Sequence, residues 1–281
     1  MTDPRIGLLL DRLDNLLDRA ERLLPQQPET DWNAIAWRWR RDGYLQPIRH
    51  VDGIRPEDLL HIDTQKQALL ANTVKFLSGL PANHALLWGS RGTGKSSLIK
   101  ALLQAFAEDG LRLIEVDKRE LDRLPDIIEP LYGRPERFIL FCDDLSFSDD
   151  EPGYKSLKAA LDGSVEQPPP NVLIYATSNR RHLLPENRQD NLDTRMIEGE
   201  LHHSEAVEEK ISLSERFGLW LSFRPFTQEQ YLEVARSWMT RLNVDFRNDE
   251  EWRREALRFA LHRGSRSGRV ARQFVNHWAA V

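Results

Sequence analysis

The stretch that decides the fold is Gly89-Ser90-Arg91-Gly92-Thr93-Gly94-Lys95-Ser96, which has the pattern G-x-x-x-x-G-K-S. Residues 84–88 before it form a short apolar run, which predicts a buried strand. Residues 97–108 after it carry apolar side chains at helical spacing, which predicts an amphipathic helix. A strand, a glycine-rich turn and a helix in this order are the context in which the pattern forms a phosphate-binding loop.

The residue types in this loop suit a nucleotide triphosphate. Glycine permits backbone torsions that other residues avoid, so the main chain can approach a phosphate closely. Successive N–H groups form an anion-binding concavity, and the start of the following helix adds positive potential. Lys95 is predicted to reach the β- and γ-phosphates, and the hydroxyl of Ser96 to ligate Mg²⁺. We expect the nucleotide to be held by Gly89, Ser90, Arg91, Gly92, Thr93, Gly94, Lys95, Ser96 and Ser97.

The composition of the chain indicates its cellular compartment and limits its possible partners. The chain has 281 residues, a net charge of −5 and one cysteine, Cys142, so it cannot form an internal disulfide. No signal peptide and no apolar run of membrane-spanning length occur in the sequence. We therefore expect a cytoplasmic protein with no membrane association. The acidic balance does not indicate a nucleic-acid partner, although local basic patches leave one open.

Apolar runs recur between helical segments along the middle of the chain. After the strand at 84–88, four further apolar runs occur, at residues 111–116, 138–142, 172–176 and 219–223. Helical patterns separate most of them. Continuous apolar strands between helices indicate a parallel sheet covered on both faces. The predicted fold is α/β, with a five-stranded parallel sheet between helices. Residues 57–226 are the predicted nucleotide-binding core, and three helical patterns in 227–281 predict a helical lid subdomain.

Residues 1–56 are predicted to be an N-terminal helical extension. An apolar stripe over residues 6–24 indicates an amphipathic helix. Residues 32–44 include Trp37-Arg38-Trp39-Arg40-Arg41, and aromatic residues interleaved with arginine can bind nucleic acid. We favour a second amphipathic helix with buried tryptophans, because the chain is acidic and the patch is short.

Polar residues follow two of the predicted strands. Asp143-Asp144 comes directly after the run 138–142, where ligands bind in sheets of this kind. Asp143 is predicted to serve the Mg²⁺ shell and Asp144 to orient or activate the attacking water, although a turn of solvated acids is the alternative. Asn179, after the run 172–176, could reach the γ-phosphate or the water. In the charged excursion at 180–212, His202 and His203 are expected to be solvated loop residues rather than metal ligands.

Residues 57–281 resemble the AAA+ superfamily of ATPases, with the motifs in that family's order. On this resemblance residues 89–96 are the Walker A loop, and Phe141-Cys142-Asp143-Asp144 is the Walker B motif. Asn179 looks like the sensor-1 residue. Arg216, within Ser214-Glu215-Arg216-Phe217-Gly218, looks like an arginine finger that acts on the neighbouring subunit's nucleotide. Arg269, or as a second choice Arg272, looks like the sensor-2 arginine of the lid.

The resemblance implies P-loop nucleotide triphosphatase chemistry, with ATP and Mg²⁺ as the cofactors. The residues of these motifs are similar to those of replication initiators and helicase loaders. The whole chain is similar to a bacterial AAA+ family of unknown function. An ATP hydrolase of this kind would remodel or assemble an unidentified protein or nucleic-acid partner, and would itself form a homo-oligomer, perhaps a ring. The second Walker B acid is usually glutamate, so Asp144 also admits a slow loader or assembly switch. A small-molecule kinase is the third reading, which the finger and lid oppose.

Overall fold

The computed structural model describes residues 28–146, 152–162, 169–180, 195–197, 200–202, 212–244 and 249–279. The helix predicted over residues 6–24 lies outside these ranges, as do His203 and most of the charged excursion. None of the helices in these ranges has the length and apolar character that a membrane span needs.

A seven-stranded sheet forms the centre of the molecule, in the order β2-β1-β4-β5-β6-β3-β9. The five strands predicted from apolar runs are present and mutually parallel, and two further strands extend the sheet beyond β4. Two short strands outside this sheet pair with each other. The bounds are β1 Ala36–Arg40, β2 Tyr44–Pro47, β3 Ala85–Gly89, β4 Leu111–Val116, β5 Arg137–Cys142, β6 Val172–Ser178, β7 Arg195–Ile197, β8 Glu200–His202 and β9 Leu219–Phe223.

Helices cover both faces of the sheet and form the C-terminal lid. The bounds are α1 Asp63–Leu77, α2 Lys95–Phe106, α3 Leu124–Ile128, α4 Pro152–Asp162, α5 Gln228–Arg241, α6 Asp249–Arg263 and α7 Gly268–Trp278. Short 3-10 turns occupy Pro56–Asp58, Lys118–Arg123 and Glu129–Leu131. The predicted α/β fold with a helical lid is confirmed.

The strands read as continuous apolar runs because each of their faces is buried. Along β5, Phe138 and Leu140 belong to one core cluster, and Ile139 and Phe141 belong to the other. Successive side chains of a strand point to opposite faces, so a strand between two helical layers needs apolar residues at every position. This burial fixes where each strand ends, and therefore where the polar residues that follow it are placed.

The helix predicted over residues 32–44 is wrong. Strands β1 and β2 form an antiparallel hairpin there, and β1 pairs in parallel with β4. Trp37 and Trp39 are 1% and 6% exposed, whereas Arg38 lies at the surface, where its Nη2 is 2.7 Å from the Glu115 carboxylate. The alternation of tryptophan and arginine thus has the two-residue period of a strand, with one face in the core and the other at the surface. The tryptophans are buried in the core and are not displayed for nucleic acid.

Candidate functional site

A cleft of about 1000 Å³ lies between the phosphate loop and the lid. The ends of β5 and β6 form its floor, and α5 and α7 form its far wall. Four groups of residues line it. They are the segment Asp52, Gly53, Ile54, Asp58, Leu59, Leu60 and Ile62; the loop Arg91 to Ser97; Asp143, Asp144, Thr177 and Asn179; and the lid residues Phe226, Val234, Trp238, Arg241, Leu242, Gly268, Arg269, Arg272, Gln273 and Asn276.

The loop between β3 and α2 has the backbone geometry that its glycines predict. Gly92 and Gly94 have φ of +72° and +103°, in the left-handed region that residues with a side chain avoid. Gly94 is the N-cap of α2, and Lys95 is its first residue. The first N–H groups of this 12-residue helix have no acceptor within the helix, and they belong to residues that line the cleft together with Arg91 to Gly94 of the loop.

Lys95 lies across the loop and is 6% exposed. Its Nζ donates to the carbonyl oxygens of Gly89 and Ser90, each at 2.8 Å, and to Oδ1 of Asn179 at 3.3 Å. Burial lowers the pKa of Lys95 to about 8, against the opposing effect of the nearby Asp143 and Asp144 carboxylates. The ammonium group thus remains mostly charged at neutral pH, next to the backbone N–H groups that would face a phosphate.

The two acids after β5 have different partners. Oδ1 of Asp143 accepts a hydrogen bond from the Ser96 hydroxyl at 2.6 Å, and a second one from the Thr177 hydroxyl. Asp144 lies in the left-handed region with φ of +53°, and its carboxylate accepts a hydrogen bond from the Asn179 side-chain amide. The structure thus brings the predicted residues of the loop, of the acidic pair and of the end of β6 into one site.

Ser96 and Asp143 fit a magnesium ion. Their oxygens are the hard ligands that Mg²⁺ takes in proteins, usually one or two side chains completed by water and substrate phosphates. In the described ranges no group of three or more His, Cys, Asp or Glu side chains gathers to form an all-protein metal cage. His202 belongs to β8, at its last residue.

The lid makes a backbone contact with the phosphate loop. The N–H of Arg269 donates to the Gly92 carbonyl at 3.3 Å, and Ser267, the N-cap of α7, lies directly above Gly92. Both candidate sensor-2 arginines border the cleft. The Arg272 guanidinium is 4.8 Å from the centre of the Trp238 ring, whereas Arg269 is the one next to the loop.

Sequence reasoning missed the wall of the cleft that faces α5. Residues 52–62 carry no motif and no periodic pattern, yet they supply the apolar side chains of Ile54, Leu59 and Ile62. One ion pair and one close contact join this segment to α5. Asp58 pairs with Arg241 at 3.1 Å, and His61 lies 2.9 Å from Glu233. The segment therefore bridges the core and the lid, which local sequence does not reveal.

Arg216 lies elsewhere. The described residues that line the cleft do not include it, and its guanidinium interacts with groups of its own chain. Nε pairs with the Asp162 carboxylate at the end of α4, and Nη1 donates to the carbonyl and hydroxyl oxygens of Ser212, each at 2.6 Å. Its assignment as a finger toward a neighbouring subunit stays a prediction.

A family model matches residues 30–281, and its description is "Protein of unknown function (DUF815)". The chain belongs to this family. Among curated proteins, the replication factor C large subunit of Ignicoccus hospitalis is 37% identical to this chain over 75 residues. That match covers 26% of this chain and only 15% of the relative, so the chain corresponds to a small part of that protein.

Two solved structures share the fold of the DUF815 chain. The FIGL-1 AAA domain, solved in complex with ADP, has a TM-score of 0.54 at 17% identity, over 80% of this chain and 73% of that one. The ORC1 protein of Aeropyrum pernix, solved in complex with DNA, has a TM-score of 0.53 at 16% identity, over 77% and 61%. The α/β fold with a helical lid that the resemblance to AAA+ ATPases implied is thus also the fold of these two structures.

Proposed function

We propose that this DUF815 protein binds Mg-ATP in the cleft and hydrolyses it to ADP and inorganic phosphate. The observation that carries the proposal is the meeting of Lys95, Ser96, Asp143, Asp144 and Asn179 at one end of the sheet. A phosphate-binding loop alone would serve many nucleotide proteins. A paired acid and an amide beside the same lysine provide the additional groups needed to orient water for phosphoryl transfer.

Phosphoryl transfer needs positioning and charge neutralisation more than covalent chemistry. Ser96 and Asp143 would hold Mg²⁺, which would neutralise charge on the β- and γ-phosphates. The loop N–H groups and Lys95 would bind the same phosphates from the other side. Asp144 and Asn179 would hold a water in line with the γ-phosphorus. The water oxygen would bond to that phosphorus while the bond to the β–γ bridging oxygen breaks, a proton of the water would pass to the Asp144 carboxylate and on to solvent, and ADP would leave.

The nucleotide state would reach a partner through the lid and through neighbouring subunits. Arg269 is bonded to the phosphate loop and belongs to the lid, so it would link the γ-phosphate to the lid angle. Arg216 would stabilise transition-state charge on the next protomer, which requires a homo-oligomer with head-to-tail contacts, as in a ring. The work done would be remodelling or assembly of a protein or nucleic-acid complex, in the cytoplasm.

A slow assembly switch is the second candidate. Aspartate is one methylene shorter than the usual glutamate, and Asp144 is held by Asn179 in a left-handed turn. A water-orienting carboxylate drawn back in this way would hydrolyse ATP slowly and keep the ATP-bound state long-lived. Single-turnover rates separate the two candidates, because a switch turns over slowly until a partner is added. Phosphate transferred to a metabolite instead of water would favour a kinase.

The test compares three variants by calorimetry and by phosphate release. Lys95→Ala should abolish ATP binding, whereas Asp144→Asn should bind ATP and release no phosphate. Lys75→Ala is the matched control, because it removes an exposed lysine on α1 outside the cleft. Undiminished ATP affinity in Lys95→Ala, with the control unchanged, would refute the proposed site.

A further inference from the structure

Thr177 connects the two strand ends that carry the candidate catalytic groups. It is the penultimate residue of β6, is 2% exposed, and has its hydroxyl directed toward the turn after β5. The hydroxyl donates to Oδ1 of Asp143 and accepts from the backbone N–H of Asp144 at 2.9 Å. Its main-chain carbonyl accepts from the N–H of Leu145 at 2.7 Å. Three consecutive residues of the acidic turn are thus bonded to one threonine.

The hydrogen bond to Asp144 matters because the backbone there is strained. A φ of +53° lies in the left-handed region that most residues with a side chain avoid, although Asp tolerates it better than most. Such a conformation persists only where the surroundings hold it in place. The bond from the Asp144 N–H to Thr177 provides this support, and the direction of the Asp144 carboxylate follows from it.

The bond to Asp143 orients the candidate metal ligand. Oδ1 of Asp143 receives two hydroxyl donors, Ser96 from the phosphate loop and Thr177 from β6. One donor would leave the carboxylate free to rotate about its last torsion, whereas two donors from different elements fix its plane. Partners of this kind typically change metal affinity by about 10- to 100-fold when they are removed.

We propose that Thr177 is a positioning residue that sets both acids of the site through one hydroxyl group. The inference rests on the function proposed above and assigns the support of the acidic pair to β6. A hydroxyl is needed because it donates to one acid and accepts from the other at the same time. Valine has the same shape and can do neither, whereas serine can do both.

The first measurement is hydrogen exchange in the protein without nucleotide. Thr177→Val should speed exchange of the Asp144 amide by about fivefold, since the bond it loses has a net worth of about 1 kcal/mol. Thr177→Ser should stay near the wild-type rate. Thr73→Val is the matched control. Thr73 is 0% exposed and its hydroxyl bonds Leu69 and Tyr175, away from the acids.

The second measurement is the affinity for Mn²⁺ in the presence of a non-hydrolysable ATP analogue. Electron paramagnetic resonance detects the bound ion. Thr177→Val should weaken Mn²⁺ binding about tenfold and raise the Mg²⁺ concentration for half-maximal hydrolysis by a similar factor. At saturating metal, kcat should fall while KM for ATP stays within about twofold, because the phosphate loop is untouched. Thr177→Ser should restore the metal dependence, and Thr73→Val should keep it despite a similar loss of thermal stability.

The outcomes separate the inference from the proposed function. Metal affinity in Thr177→Val equal to that in Thr73→Val overturns the inference, as does a Thr177→Ser protein as impaired as Thr177→Val. Failure of the wild type to bind ATP overturns the proposed function instead, and the exchange experiment still reports on Thr177. If Thr177→Val does not fold, Thr177→Ala removes the hydroxyl without placing a methyl group among its polar partners, and the same criteria apply.

Discussion

Replacing Gly92 with alanine tests how closely the lid and the phosphate loop are joined. A Cβ built at Gly92 lies 2.8 Å from Oγ of Ser267 and 3.0 Å from Cβ of Arg269, both at the start of α7. The φ of +72° adds the cost of a left-handed residue. We expect about 1 kcal/mol from the torsion and about 1–3 kcal/mol from the overpacked contact, so about 2–4 kcal/mol in total.

Gly133 provides a control with almost the same torsion and no neighbour. Its φ is +73° and nothing lies within 4 Å of the added Cβ, so Gly133→Ala should cost only about 1 kcal/mol. The free energy of unfolding from urea titration gives both values, and calorimetry gives the ATP affinity. Gly92→Ala should also bind ATP at least tenfold more weakly, whereas Gly133→Ala should bind normally.

The difference between the two variants isolates the contact with the lid, because the torsional strain cancels. If both variants lose the same stability, α7 does not rest on the loop in solution. If Gly92→Ala loses stability but keeps full ATP affinity, the start of α7 can withdraw without disturbing the phosphate cradle. Either result would contradict the coupling of lid and loop on which the role of Arg269 depends.

Three further predictions concern the subunit contact, acid stability and the lid. Arg216→Ala should lose turnover and regain part of it when mixed with Asp144→Asn protein, and no recovery in the mixture argues against action on a neighbouring subunit. Burial lowers the pKa of His84 from 6.5 to about 4, so the unfolded chain binds more protons between these values. The free energy of unfolding should therefore fall as pH decreases over this window, by about 3 kcal/mol, and more steeply than in His84→Gln. Identical slopes in the two proteins would exclude His84 as the cause. The Asp58–Arg241 pair is 28% and 45% exposed at its two side chains, so a double-mutant cycle in urea should give a coupling of about 1 kcal/mol or less, and a value several times larger would mean that the pair is desolvated in solution.

Most of the central sheet was predictable because its strands are largely or wholly apolar runs. A run such as residues 138–142 has one stable environment, between two helical layers, and the polar residues that follow it fall at the same edge as the phosphate loop. Loop, acids and Asn179 could therefore be placed near one another from sequence alone.

The remaining features depend on contacts between distant residues. Trp37 and Trp39 alternate with arginine, which was interpreted as a helix, and only pairing with β4 makes the strand evident. Residues 52–62 gain their role by touching a lid that is nearly 200 positions away in the chain, through pairs such as Asp58 with Arg241. The role of Thr177 could not be predicted from the sequence, because a single hydroxyl residue after a strand is also ordinary in loops until its partners are known.

The β1–β2 hairpin determines how a mechanical force applied at Trp32 would be carried through the sheet. Trp32 packs on Trp37 and Phe138, and the Arg134 guanidinium covers its ring at 3.7 Å. Strand β1 is hydrogen-bonded to β4, and β4 to β5, whose end carries the acidic pair. A pulling force applied at Trp32 would thus be carried by the hydrogen bonds that join β1 to β4 and β4 to β5, within two strands of the acids.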